Sequence, residues 1–133
     1  AMNVIRGWRA QGDQVYRGGM QLRVREGAPA TNESVIVGIR PEEIQLVNGS
    51  PCDNVIIAEV KTLEFRGPFY RVRCALRPGE EAETLVLTAH WPATLVEPLG
   101  LKEGDRVRLR LPPEALLIYT DGTSPVLPEA VAC

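Results

Sequence analysis

The residues of this chain that could do chemistry are few: one histidine, three cysteines, a pair of adjacent glutamates and a scatter of arginines. His90 is the only histidine, which removes histidine-pair metal sites and leaves at most one Cys/His or Ser/His dyad. Cys74 would be the partner in such a dyad, but it alternates with Val72 and Leu76 and reads as core. Cys52, Cys74 and Cys133 are an odd set without metal-ligand spacing, as expected of reduced thiols in a cytosolic protein. Glu42 and Glu43 would suit acid–base work only if they shared a substrate, and neighbours in an extended chain point to opposite faces. Their expected role is structural, with Arg40 pinned to a glutamate, Glu42 nearest, by a charge-assisted hydrogen bond. The only lysines, Lys61 and Lys102, follow no GxxxxGK[ST] loop, and no GxGxxG follows a strand. We therefore expect no catalytic residue, no bound cofactor and no metal in this chain.

Arg66, Arg71, Arg73 and Arg77 stand beside Phe65, Phe69 and Tyr70, the ingredients of a basic groove with stacking aromatics. Tyr70 falls on the apolar face, however, and the chain carries a net charge of −2. Arg66, Arg71, Arg73, Arg106 and Arg108 are read as a solvated outer face that can serve as an interface or ligand surface, without nucleic acid as a partner.

Positioning these residues falls to two similar corners. Val37-Gly38-Ile39-Arg40-Pro41-Glu42-Glu43-Ile44 ends a β-branched run at a proline that lacks an N–H, so the strand stops at Arg40. Leu111-Pro112-Pro113-Glu114-Ala115-Leu116-Leu117-Ile118-Tyr119 nearly repeats it. Two strand, Pro-Glu corner, strand units suggest an architecture built around both.

The rest reads as short strands. Asn3 to Trp8 opens the chain, and Gln14 to Tyr16 joins Met20 to Arg25 through Arg17-Gly18-Gly19. Gly27 to Glu33 is a loop, and Asn48-Gly49-Ser50-Pro51 is a break. Asn54 to Phe65 is the longest strand, turned back at Arg66-Gly67-Pro68, with Gly67 expected in a conformation side chains oppose. Phe69 to Leu76 returns, with Tyr70, Val72, Cys74 and Leu76 on one face. Arg77 to Glu81 is a turn, Thr84 to Thr88 a strand, and His90-Trp91-Pro92 opens a less regular stretch ending at Gly100. A turn at Gly104-Asp105 feeds Arg106 to Leu111, where arginines and apolar residues alternate. No long amphipathic helix is legible. From Asn54 to Tyr119 there are about five strands, the number of a small OB-type barrel.

Composition agrees. The 133 residues suffice for one domain, 1–133, divided into N-terminal strands and the Arg-Pro-Glu corner (3–53), the barrel (54–120) and a tail (121–133). Hydrophobic residues at 44% and charged residues at 24% are those of a globular protein, and twelve glycines with eleven prolines favour short strands over long helices. No apolar run approaches membrane-spanning length and no signal-peptide core is visible. Ala1 is no initiator residue, so Ala1-Met2 reads as residues added to a natural or truncated chain.

The order of these features resembles the TOBE (transport-associated OB) regulatory domain at the C-terminus of ATP-binding subunits of bacterial ABC importers, of the maltose, polyamine, iron and oxyanion type. Asn3 to Gly7 is similar to the segment leaving the ATPase domain. Val37 to Glu42 is similar to the family's G-hydrophobic-R-P-E signature, and Val60 to Gly67 to its strand and glycine hairpin. Leu101 to Leu111, with Gly104-Asp105, resembles its G-D-x-V turn, and Leu111 to Glu114 with Leu117 to Tyr119 and Asp121-Gly122 its closing strand and tail. The resemblance covers about Asn3 to Gly122. It implies an all-β, OB-like barrel with N-terminal strands packed on it, whose motif residues are Arg40, Pro41, Glu42, Gly67, Gly104, Asp105, Pro113 and Glu114. It further implies a non-catalytic regulatory and dimerisation domain, cytoplasmic and peripheral to the inner membrane. The implied partners are a second copy, the ATPase domain of the same chain (which would hold ATP and magnesium), permease subunits indirectly, and a solute or regulatory protein. The Ser-Ala-Arg-Asn motif of molybdate-binding relatives is missing, which argues against oxyanion storage. The other function class these residues fit is a free-standing OB-type small-ligand or single-stranded nucleic-acid binding protein.

Overall fold

Alternation along the chain decides which side of each strand enters the core. Met20 and Leu22 are buried between exposed Gln21 and Arg23, and Val107 and Leu109 between exposed Arg106 and Arg108. The structure, a computed structural model, describes residues 2–25, 33–49, 52–76 and 85–120. The loop of residues 27–32, Ser50-Pro51, the Arg77 to Glu81 turn, Thr84, the tail from Asp121 and Cys133 lie outside the described residues.

Among the described residues ten strands and one short helix follow in order: β1 (Asn3–Gln11), β2 (Gln14–Arg17), β3 (Met20–Arg23), β4 (Ser34–Ile39), β5 (Gln45–Val47), β6 (Val55–Phe65), β7 (Phe69–Leu76), β8 (Val86–Pro92), α1 (Ala93–Leu99), β9 (Arg106–Arg110) and β10 (Leu117–Thr120). They form two five-stranded antiparallel sheets of order β10-β4-β1-β2-β3 and β5-β9-β6-β7-β8. The inner faces of both sheets share one hydrophobic core, with Trp8, Val15, Leu22, Val35 and Ile39 from the first sheet and Val60, Val72, Leu87, Trp91 and Leu109 from the second. The second sheet curls in OB fashion, so that the Trp91 indole N–H of β8 donates to the Ile44 carbonyl beside β5 at 2.8 Å.

Three expectations about the placement of elements need correction. The five strands after Asn54 do not all belong to the barrel: β10 crosses to the first sheet, and the fifth strand of the second sheet is β5. The Pro-Glu corners cause this, because each turns the chain out of one sheet and into the other. The strand expected to end at Thr88 runs on to Pro92, since Leu87, Ala89 and Trp91 keep alternating inward. The stretch after it contains α1, seven residues long, which ends where Gly100 takes a left-handed φ of 63°.

The corners themselves are not held by the expected ion pair. Arg40 is exposed, and among the described residues no ion pair joins it to Glu42. Each corner is a single 3-10 turn closed by backbone bonds: Glu43 N–H to Arg40 O at 3.0 Å and Ile44 N–H to Pro41 O at 3.4 Å in one. In the other, Ala115 N–H reaches Pro112 O at 2.9 Å and Leu116 N–H reaches Pro113 O at 3.3 Å. Proline presets φ for such a turn, and the buried Ile44 and Leu116 anchor its far end.

The correspondence extends beyond the corners. Gly38 pairs with Val4 on one side and Leu117 on the other, and Arg110, at the matching distance before its own corner, pairs with Val55 and Gln45. The chain is thus two similar halves, β1 to β5 and β6 to β10, that have exchanged their last strands. Two asparagines fasten the exchange. Asn3 Nδ2 donates to Ile39 O at 3.2 Å and Thr88 O at 2.9 Å, and its Oδ1 accepts from Thr88 N–H at 2.8 Å. Asn54 makes the same three bonds, to Leu111 O, Arg23 O and Arg23 N–H, each at 2.8 Å. Each asparagine therefore holds the third strand of the other half. Asn54 does so at a left-handed φ of 58°, which asparagine tolerates better than most side chains.

Candidate functional site

The β6–β7 hairpin turns at Arg66-Gly67-Pro68, where Gly67 has the left-handed φ of 82° that a side chain would strain, as expected. Arg66 N–H donates to Phe69 O at 2.9 Å to close the turn. Outward residues of this hairpin meet the first corner. Pro41, Arg66, Phe69, Arg71, Thr88 and His90 line a pocket of about 200 Å³ whose remaining wall is Met2 and Asn3. His90 faces Arg71 across the β7–β8 pair and packs on Phe69 with ring centroids 4.8 Å apart. Partial burial lowers its pKa from the ordinary 6.5, and Arg71 lowers it further, while Glu42 on the corner opposes them. Neutral imidazole beside two guanidinium groups leaves the pocket electropositive without a strong acid or base.

The second concave region is larger. Leu46 and Val47 of β5, Asn48, Gly49, Ile57 of β6, Leu95 and Leu99 of α1, Leu101, and Arg106 to Arg108 of β9 line a groove of about 680 Å³. Its floor is apolar and its rim carries two arginines.

The expected surface arginines are therefore divided rather than gathered. Arg66 and Arg71 enter the small pocket, Arg106 and Arg108 border the groove, and Arg73 stands exposed between them opposite Thr62 and Thr88. Gly104, at φ 93°, and Asp105 form the turn that docks on β6: Gly104 N–H donates to Val60 O, and Val60 N–H to Asp105 O, both at 2.8 Å. Asp105 also accepts from Lys102 N–H at 3.0 Å. Pro113 and Glu114 lie in the second corner and enter neither cavity. Among the motif residues, Pro41 alone borders one.

Nucleophilic chemistry finds no support in the geometry. Cys74 pairs with Leu87 and points into the core, whereas His90 pairs with Arg71 on the opposite face. Burial pushes the Cys74 thiol up to about 12, far from a thiolate at neutral pH. Among the described residues no group of histidine, cysteine, aspartate or glutamate could hold a metal ion. Nor is any described helix long and apolar enough to cross a membrane. Asn3, Asn54 and the α1 leucines are the important residues that sequence reasoning missed, and His90, considered there only as a dyad partner, lines the small pocket instead. The repeated Asn-Val-Ile of residues 3–5 and 54–56 was the signal available for the asparagines.

Two antiparallel sheets joined by Pro-Glu corners, the second curled in OB fashion, define an all-β, OB-like fold. Residues 37–118 match the TOBE domain family, and the chain belongs to it; a TOBE domain is a non-catalytic OB-type domain. The chain is also similar, at 29% identity over 122 residues, to the Fe(3+) ions import ATP-binding protein FbpC 2 of Rhizobium meliloti (strain 1021). That alignment takes in 82% of this chain but only 30% of the relative's length. Among solved structures, the cytoplasmic molybdate-binding protein ModG with molybdate bound superposes with a TM-score of 0.77 at 18% identity, covering 90% of this chain and 96% of that one. At that identity the likeness is one of fold.

Proposed function

We propose that this chain is the regulatory and dimerisation domain of the ATP-binding subunit of an ABC importer. The observation that carries this reading is the family match together with an importer ATP-binding protein of which the chain spans 30%. In this reading the ATPase domain of the same polypeptide holds ATP and magnesium, and the subunit sits on the cytoplasmic side of the inner membrane against its permease. Two copies of the domain pair about a two-fold axis, weakly alone and more firmly when attached ATPase domains raise their effective concentration. The arginines, split between two cavities rather than lying along one track, favour a protein or small-ligand partner over nucleic acid.

Two measurements test it. The reading frame upstream of residue 1 should encode a phosphate-binding loop, and a stop codon just before Met2 overturns the proposal. Sedimentation velocity of the whole subunit should show ATP-strengthened pairing that is lost when the domain is removed.

A second reading, a free-standing small-ligand protein, is favoured by the pocket of Arg66, Arg71 and His90. Calorimetric titration with small oxyanions and carboxylates separates the two, since saturable binding by a free-standing gene product would select it.

A further inference from the structure

The groove between α1 and β9 holds more apolar surface than the core needs. Only Val96 of α1 is buried. Leu95 and Leu99, four residues apart and so on one side of the helix, face the groove instead. Leu95, Ile57 and Leu99 remain 38%, 47% and 57% exposed, so the floor is shallow and its side chains lie in water. Contiguous exposed apolar surface with a polar rim marks an interaction site.

The rim says what kind. Arg106, Arg108 and Arg110 share one face of β9. Arg110 is already paired, with Asp53 at 2.9 Å. Among the described residues Arg106 and Arg108, the two that border the groove, form no ion pair. A side chain at Gly49 would stand 3.1 Å from the Arg108 guanidinium, so the glycine leaves room for that group at the groove's edge. Glu59 stands across from Arg106 in the β6–β9 register, and among the described residues no ion pair joins the two. Arg108 lies between the apolar Ile57 and Val47. An apolar floor beside such cations complements an occupant that is itself apolar and acidic. A small molecule is ordinarily engulfed by its site, whereas this floor stays open. A ridge of leucine-like side chains on a helix fits such a trough.

We propose that this groove docks an acidic amphipathic helix of a separate protein partner, with apolar side chains on Ile57, Leu95 and Leu99 and carboxylates on Arg106 and Arg108. The proposal is independent of the importer reading, which stands or falls on the upstream reading frame and on pairing.

The test is a display selection of random peptides of about 16 residues, roughly four helical turns, against the whole chain. The expected result is enrichment of sequences with apolar residues three and four apart flanked by Asp or Glu. An enriched peptide then binds in fluorescence polarisation, more weakly at high salt. Arg108→Glu lowers its affinity about tenfold or more, and Leu99→Glu or Ile57→Glu removes binding while far-UV circular dichroism and thermal melts stay those of the parent. Two groove variants on different elements keep the test decisive if one fails to fold. Enrichment of basic or uncharged sequences, binding that survives both groove variants, or no enrichment at all overturns the proposal. So does saturable decanoate binding, or concentration-dependent self-association sensitive to Leu99→Glu, with no peptide captured.

Discussion

The two halves of the chain share their strand order, corners, registers and asparagine clamps, yet the second supplies most of the lining of both cavities. In the first half β1 and β2 have nine and four residues; in the second, β6 and β7 have eleven and eight. The extra hairpin length carries Arg66, Phe69 and Arg71 to the small pocket. Among the described residues the second half also has α1 between its third and fourth strands, and α1 supplies Leu95 and Leu99 to the groove. What repeats is scaffold, and what the second half adds is most of the cavity lining. The first half contributes to the small pocket mainly through its corner and N-terminus, Pro41 with Met2 and Asn3.

This division makes the corner anchors the most sensitive positions. Ile44 is more completely buried than Leu116, at 1% against 8% exposure, and its carbonyl also receives the Trp91 indole. Ile44→Ala should cost about 3–4 kcal/mol and Leu116→Ala about 2–3. Urea denaturation measures both, and a costlier Leu116→Ala would mean that the second corner, not the first, anchors the exchange.

The clamps come next. Asn54→Ala strands one N–H and two carbonyls in a buried setting and should lose about 2–3 kcal/mol. Asn3→Ala does the same where water can enter and should lose about 1–2. Equal losses in the same denaturation experiment would show that the clamps are equivalent in energy as well as geometry.

Turn substitutions should be smaller still. Gly67→Val forces a branched side chain into the left-handed region, for about 1–2 kcal/mol. Arg66→Ala and Arg40→Ala, at exposed positions, should stay within about 0.5. Thermal melts of the three variants rank them, and a large loss for Arg40→Ala would restore the ion-pair view of the corner.

Much of this was legible in the sequence, and the failures have physical causes. Strand alternation, the hairpin at Gly67 and both corners are local signals, set by side-chain period and by proline. Sheet membership is not local. Nothing in Leu117 to Thr120 itself says that it pairs with β4 rather than closing the barrel, because either partner buries the same alternation. The Arg40–Glu42 pair was inferred from charge proximity, whereas the turn satisfies its own backbone and leaves both side chains in water. Asn54 was read as the first residue of a strand, since its bonds reach residues 31 and 57 positions away. Leu95 and Leu99 were unreadable as a surface until α1, packed on β7 and β8, was placed at the edge of the groove.

The smallest effect tests a contact between the halves directly. His90 belongs to the third strand of the second half, and Glu42, which raises its pKa, belongs to the corner of the first. Burial is the main cause lowering the His90 pKa below 6.5, and Arg71 is the next. A histidine whose folded pKa is depressed binds protons more weakly folded than unfolded, so its contribution to stability is present above the unfolded value of about 6.5. That contribution is lost as pH falls through 6.5 towards the folded pKa. Thermal melts should therefore show a drop in midpoint between about pH 7 and 5 that is shallower in His90→Gln. Arg71→Ala should reduce the histidine-dependent part of the drop, because imidazolium no longer faces a guanidinium. Glu42→Gln should enlarge it by removing the one carboxylate that favours the charged ring. If His90→Gln and the parent give superimposable profiles, the corner and the third strand are not electrostatically coupled. If Glu42→Gln leaves the histidine-dependent part unchanged while Arg71→Ala reduces it, the coupling lies within the second half alone.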